Sequence, residues 1–140
     1  YKTILLSVDL QDEASWTKAL PTALAMAGTF DASLHLITVV PNLPSYVVGT
    51  FLPDDTHKKL VETAGNSLKS FTAEHGGGRA ITPHVAVGSV YSSILDTADK
   101  IGADLIVMAS HRPEMSDYLL GPNAARVVRH SNRSVLVVRD

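Results

Sequence analysis

The sequence predicts a doubly wound α/β domain: one five-stranded parallel sheet with helices on both faces. Two observations predict it. Strand-length apolar runs alternate with helix-length amphipathic runs in the order β-α-β-α-β-α-β-α-β. The first of the strand runs is apolar at consecutive positions rather than at every second one, the pattern of a parallel strand covered on both faces. Right-handed crossovers between parallel strands then place helices on both sides of the sheet. In such sheets ligands bind beyond the carboxyl ends of the strands, where the winding reverses. The ends of the first and fourth strands, at Asp9 and Ala109, are the places to look.

Taken in order, Thr3 to Asp9 reads as a central strand. Leu10 to Ser15 is a polar turn, and Ser15 is placed to cap a helix over Trp16 to Phe30, with Trp16, Leu20, Leu24 and Ala27 at helical spacing. Pro21 should kink that helix or move its start, and Gly28 and Asp31 mark its end. Leu34 to Val40 is the second strand, stopped by Pro41-Asn42-Leu43-Pro44. Ser45 to Pro53 is a loop rich in apolar residues, among them Tyr46, Val47, Val48 and Phe51, a composition that suits packing over a site or against a partner. Asp54 or Asp55 caps a helix from about Thr56 to Glu74, which Gly76-Gly77-Gly78 breaks. Ile81 to Val87 alternates and carries Pro83, an edge-strand signature. Ser89 caps a helix over Val90 to Ile101. Leu105 to Ala109 is the fourth strand, followed by a polar loop, a Gly121-Pro122 break, a helical run from Asn123 to His130, and a last strand over Ser134 to Arg139.

The bulk composition narrows the function classes. A chain of 140 residues is one domain by the usual prior, expected to span the whole sequence. At that size roughly 68–70% of the unfolded surface is buried on folding, enough for a core without staples. With no cysteine there are no disulfides and no thiolate metal sites, which suits a reducing compartment. A net charge of -2 argues against broad binding to nucleic acid or to membrane surfaces. No apolar run approaches the roughly 20 residues of a membrane span, and no signal-peptide pattern is visible. The expectation is a cytoplasmic protein with neither nucleic-acid nor membrane partners.

Most local constellations have plain explanations. Gly88-Ser89-Val90-Tyr91 lacks the second glycine of a nucleophile elbow, so Ser89 reads as a cap. The six histidines show neither HExxH nor paired helical spacing, which argues against a metal centre; His35 and His84 sit in strands and read as structural. Asp9 is either a turn residue accepting backbone N–H groups or a carboxylate aimed at ribose hydroxyls or an adenine amine. A phosphoacceptor receiver domain would want an acidic pair after the first strand, an Asp ending the third and a Lys near the fifth. The strand ending at Val87 has no such Asp, and the last strand has no Lys. Neither a Walker P-loop nor a GxGxxG follows the first strand. What remains is strand, polar loop, glycine and helix start from Leu105 onward, an arrangement that holds anions by free N–H groups and the partial positive charge of the helix end.

Ile106-Val107-Met108-Ala109-Ser110-His111-Arg112-Pro113, then Tyr118-Leu119-Leu120-Gly121, Ala124-Ala125, Val127-Val128-Arg129-His130 and Ser134-Val135-Leu136-Val137-Val138-Arg139 together resemble the universal stress protein family. The wording is similar to its small single-domain F/G-type branch. The opening Ile4 to Asp9 and the strand ending Thr38-Val39-Val40 resemble it too. The resemblance implies an adenine nucleotide alpha hydrolase-like sheet in the order 3-2-1-4-5. It also implies a site: Ser7, Val8 and Asp9 lining an adenosine pocket, the main chain of Val39 reading the adenine edge, Met108 and Ala109 bordering the ribose, and His111, Arg112, Gly121, Pro122, Asn123 and Ala124 around the phosphates. The implied ligand is ATP, with ADP, AMP and Mg as further candidates.

This sequence departs from the family's G-x2-G-x9-G-(S/T) pattern. Ala109 and Arg112 stand at its first two glycines, as in the F/G-type branch, and the interval to Gly121 is one residue short. Pro122 replaces the final Ser/Thr, removing a hydroxyl and an N–H together, while remaining a good first residue for a helix. Arg112 offers a charge-assisted contact that glycine would not.

The last strand, if at an edge, exposes a bare hydrogen-bonding row that a second copy would cover. The family resemblance likewise implies a homodimer through Val135, Leu136, Val137 and Val138, with a tetramer as the next assembly open to it. The leading expectation is an ATP-binding stress-response regulator or sensor with little or no hydrolysis. The alternative is a dimeric interaction module that binds no nucleotide and keeps a vestigial pocket. An enzyme using His111 with Asp117 or Asp9 is the weakest expectation, because no third group orients the histidine.

Overall fold

The structure is a computed structural model that describes residues 1–42, 56–110 and 120–139. Five strands form one sheet: β1 (Thr3–Ser7), β2 (Ser33–Val40), β3 (Ile81–Val87), β4 (Leu105–Ser110) and β5 (Ser134–Arg139). All neighbours pair in parallel, in the order β3-β2-β1-β4-β5. Among the described residues four α-helices connect them: α1 (Ala19–Phe30), α2 (Thr56–His75), α3 (Val90–Ile101) and α4 (Pro122–His130). The winding reverses at β1, which lies between β2 and β4.

The consecutive apolar runs in the sequence are explained by burial on both faces. Ile4, Leu6, Leu34, Leu36, Leu105 and Val107 point to one side and pack with Ala19, Leu20, Ala23 and Ala27 of α1 and Leu68 and Phe71 of α2. Leu5, Ile37, Ile106 and Met108 point to the other and meet Ile94 and Ala98 of α3 and Ala124 and Val127 of α4. A fully buried Leu or Ile contributes about 1.5–3 kcal/mol, so the two layers together hold the sheet rigid under whatever sits at its carboxyl end. The start of β1 is also tied across to β4. The Asp104 carboxylate accepts the N–H groups of Lys2 (2.9 Å) and Thr3 (3.1 Å), and the Asp104 N–H donates to the Thr3 carbonyl (3.0 Å).

β3 is an edge strand, as Pro83 predicts, and β5 is the other edge. The triple glycine breaks the chain where expected: Gly77 and Gly78 follow α2 with φ of 60° and 82°, a region open to glycine at little cost. α4 begins with Pro122 as its first residue, where a missing N–H costs nothing.

Three local expectations are corrected. α1 begins at Ala19 rather than after a Ser15 cap. A short 3-10 turn, Glu13–Ser15, comes first, and Asp12 caps it by accepting the Ala14 N–H. Pro21 thereby falls in the first turn of α1, so it moves the helix start instead of kinking it. Trp16 leaves the helical stripe and packs edge-on against Phe71, with ring centroids 5.0 Å apart. β1 ends at Ser7, so Asp9 stands two residues beyond the ladder. Ser89 occupies the position before α3 but makes no side-chain cap; its carbonyl accepts the Ser93 N–H instead. Asp54, Asp55 and the Tyr46–Phe51 loop lie outside the described residues.

The two strand histidines are partners. His35 Nδ1 and His84 Nε2 stand 2.8 Å apart, one ring donating and the other accepting, with the rings stacked at 20°. Burial lowers the pKa of both, and for His35 the neighbouring His84 lowers it further.

Candidate functional site

A cavity of about 680 Å³ opens at the carboxyl end of the sheet, over the reversal point, well within the range of small-molecule sites. Its floor is the end of β1 and the turn that follows: Ser7, Val8 and Asp9. Val39 lines it from β2, Met108 and Ala109 from β4, and Asn123 from the first turn of α4. Seven residues singled out from the sequence thus face one space, although they come from four elements spread over more than a hundred positions.

Asp9 is held in place before any ligand arrives. Its N–H donates to the Ser15 hydroxyl (2.8 Å), and that hydroxyl donates back to the Asp9 carbonyl (2.9 Å). One carboxylate oxygen, Oδ1, accepts the Gln11 N–H at 3.0 Å, an Asx turn. Among the described residues the other oxygen, Oδ2, has no partner, so it remains for a ligand hydroxyl or amine. Both sequence readings of Asp9 therefore apply: it organises its own turn and presents an acceptor to the cavity.

The far side of the cavity went unread in the sequence. Thr63, Ala64 and Ser67 line it from α2, and Val90 from the start of α3. Of the apolar stripe Leu60, Ala64, Leu68 and Phe71 that the sequence places on α2, Leu68 and Phe71 pack in the core, while Leu60 and Ala64 line the cavity. Thr63 and Ser67 are four apart, so they share a face of the helix next to that stripe. A small-polar pair beside an apolar stripe was the available signal. Thr38 of β2, only 7% exposed, adds a buried hydroxyl to the wall.

The helix end is less open. Gly121, Pro122 and Ala124 do not line the cavity, and Ala124 is buried in the core under α4. The Gly121 N–H donates to the Ser110 hydroxyl at 3.1 Å, which pins the start of α4 to the end of β4. His111, Arg112 and Asp117 lie outside the described residues. Asp9 is the one ionisable group among the described lining residues.

A parallel sheet wound in two directions, with an open cavity above its reversal point, defines the class: an α/β domain of the kind that holds small ligands at the strand ends. A family model for the universal stress protein family matches residues 1–139. The chain is 34% identical to universal stress protein G of Escherichia coli O157:H7 over 145 residues, covering 99% of both chains. It is 32% identical to universal stress protein G of Salmonella typhimurium, again over 99% of both. Among solved structures, hypothetical protein MJ0577 superimposes with a TM-score of 0.74 at 27% identity, over 100% of this chain and 96% of that one. A universal stress protein in complex with cAMP has the same fold, with a TM-score of 0.65 at 24% identity and coverage of 99% and 97%. This chain belongs to the universal stress protein family.

Proposed function

We propose that this protein is an adenine-nucleotide-binding universal stress protein that works as a regulator or sensor in the cytoplasm. One observation carries the reading: the cavity over the reversal point is lined both by a preorganised carboxylate, Asp9, and by Asn123 of the first turn of a helix, among apolar side chains. Val39 and Met108 offer flat apolar contact to a purine. Asp9 Oδ2 accepts from a ribose hydroxyl, and the α4 end faces the phosphates. Proteins sharing the fold have been solved with cAMP and with dAMP, at 24% and 21% identity. ATP, ADP and AMP are the ligands this geometry admits, and with ATP any Mg would be held largely by the phosphates, since Asp9 is the one carboxylate among the described lining residues.

Turnover is not part of the proposal. Phosphoryl transfer needs a placed base or water-positioning group and a cation at the transferred phosphate, and the described lining residues supply neither. The test is calorimetric titration with ATP and Mg, ADP and AMP. Saturable heat with at least one of them is expected; none with any of them up to millimolar ligand overturns the reading.

A homodimer through β5 belongs to the same proposal. β5 is at the sheet edge and its row of backbone groups is the natural seam for a second copy. Native mass spectrometry, which reports mass and bound nucleotide together, should show the dimer; a monomer across the accessible concentration range overturns it. The competing reading, a dimeric module with a vestigial pocket, is favoured by Pro122 alone.

A further inference from the structure

We propose that the outer face of α4 docks an acidic segment of a partner protein, with Arg126 and Arg129 taking its carboxylates and Tyr91 holding Arg126 ready. The proposal is independent of the nucleotide reading and uses a different face of the molecule.

The charge of the chain is unevenly placed. Its net charge is -2, yet residues 120–139 carry four arginines and one histidine and no acidic residue. Two of those arginines and the histidine stand on α4. Ala124 and Val127 bury the inner side of that helix. Arg126, Arg129 and His130, at i, i+3 and i+4, share the outer side and are exposed.

Two other arginines are used within the fold. Arg133 donates to the Ala103 carbonyl and pairs with Asp99 of α3 at 2.6 Å. Arg79 donates to the Ala32 carbonyl at 3.4 Å. Among the described residues neither Arg126 nor Arg129 has an ion-pair partner. Arg126 is held instead by a ring. Its guanidinium carbon stands 5.3 Å from the centroid of Tyr91, in the first turn of α3, and His130 flanks the same ring at 6.0 Å. Stacking fixes a guanidinium without using its N–H groups, so the fork stays free for a planar carboxylate. The helix dipole accounts for cations in the last turn, where Arg129 and His130 lie, but not for Arg126.

Charge complementarity calls for an anionic partner, and size chooses among anions. α4 has nine residues, about 13 Å of helix, a length that two or three carboxylates of a short peptide segment match. A nucleic-acid strand carries a charge at every phosphate, and only some of these would meet α4. The rest would run over a chain that is net acidic outside this segment. Arg and Tyr are also the residue types that anchor protein interfaces.

The test is fluorescence anisotropy of a labelled decaglutamate peptide titrated with the intact chain at low ionic strength. Saturable binding is expected, weakening as salt is raised. Arg126→Glu with Arg129→Glu should weaken it at least about tenfold, since each attraction becomes a repulsion. Lys58→Glu with Lys69→Glu makes the same charge change at exposed positions of α2 and should change it by less than about twofold. Tyr91→Leu should weaken it about threefold, while Tyr91→Phe, which keeps the ring, should leave it unchanged. No saturable binding up to millimolar chain, or equal losses in the two charge-reversal pairs with circular dichroism showing both folded, overturns the proposal. So does a single-stranded oligothymidylate of equal charge that binds the parent more tightly than the peptide, because the face would then belong to nucleic acid.

Discussion

The reversal at β1 divides the sheet into two unequal halves. The β1-β2-β3 half carries α2 over its strand ends and contributes most of the cavity: the Asp9 turn, Val39, and the Thr63, Ala64 and Ser67 face. The β4-β5 half contributes Met108, Ala109 and Asn123. The first half is also the more tightly bonded at the site, since Asp9 is fixed by four hydrogen bonds within its own turn. The second half spends its Gly121 N–H on closing the β4–α4 connection. On the proposed nucleotide reading, base and sugar would fall to the first half and the phosphate end to the second, and the first is the better bonded of the two.

The strongest way to break this comparison is to fill the cavity from its better-built side. Ala64→Trp puts an indole into the space between α2 and the strand ends. Saturable nucleotide binding should disappear at millimolar ligand, while far-UV circular dichroism stays that of the parent, because Ala64 is only partly buried and belongs to the cavity wall rather than to either core layer. Binding that survives in Ala64→Trp would place the ligand elsewhere on the molecule.

A smaller effect sharpens it. Asp9→Ala removes the acceptor offered to the ligand and the Asx-turn bond to Gln11 together. A hydrogen bond to a charged group is worth about 1.5–3 kcal/mol, so AMP affinity should fall roughly ten- to a hundredfold by calorimetry. Asp9→Asn keeps the turn, because the amide oxygen still accepts the Gln11 N–H, and should lose less. Equal losses in the two variants would mean that Asp9 acts through its charge on the ligand and not through the turn.

The two edges of the sheet extend the comparison beyond the site. β3 carries Pro83, which removes one donor from the strand. β5 carries no such protection along Ser134–Arg139. Amide exchange in β5 should slow as protein concentration rises, by a few-fold or more, while exchange in β3 stays constant. The same dependence at both edges, or at neither, would remove the β5 dimer.

Much of the fold was legible in the residues, for a definite reason. In a sheet wound in both directions each central strand is buried twice, so Ile4, Leu5 and Leu6 all had to be apolar, and the run announces itself. Pro83 disclosed its edge by the N–H it lacks. The start of α1 was misread because Ser15, a good cap by type, spends its hydroxyl on the Asp9 backbone, and the helix begins after Lys18 with no side-chain cap. At the site, residues at strand ends were readable because topology alone sends them to the reversal point. The α2 wall was not, because the stripe shows which face of α2 is apolar but not that the neighbouring Thr63 and Ser67 meet the strand ends, which depends on how Leu68 and Phe71 dock on the sheet.

The smallest expected effect comes from the outer margin of the better-built half, the His35–His84 pair. The bond between the rings needs one nitrogen with a proton and one without. Both rings have their pKa lowered from the ordinary 6.5 in the folded chain, by burial and, for His35, by the other ring. As pH falls below about 6.5 the unfolded chain therefore takes up protons before the folded one does. The pair's contribution to stability is present above that pH, is lost as pH falls toward the lowered folded values, and levels off below them. Thermal melts from pH 7.5 down to pH 5 should show this decline, and a His35→Gln, His84→Gln double variant should flatten part of it. If the double variant declines as steeply as the parent, the titration lies elsewhere and not in this pair. Either way the loss should stay small beside that of Ala64→Trp or Asp9→Ala on binding, because both rings keep partial contact with water, and solvent screens a second charge there far better than it would in either core layer.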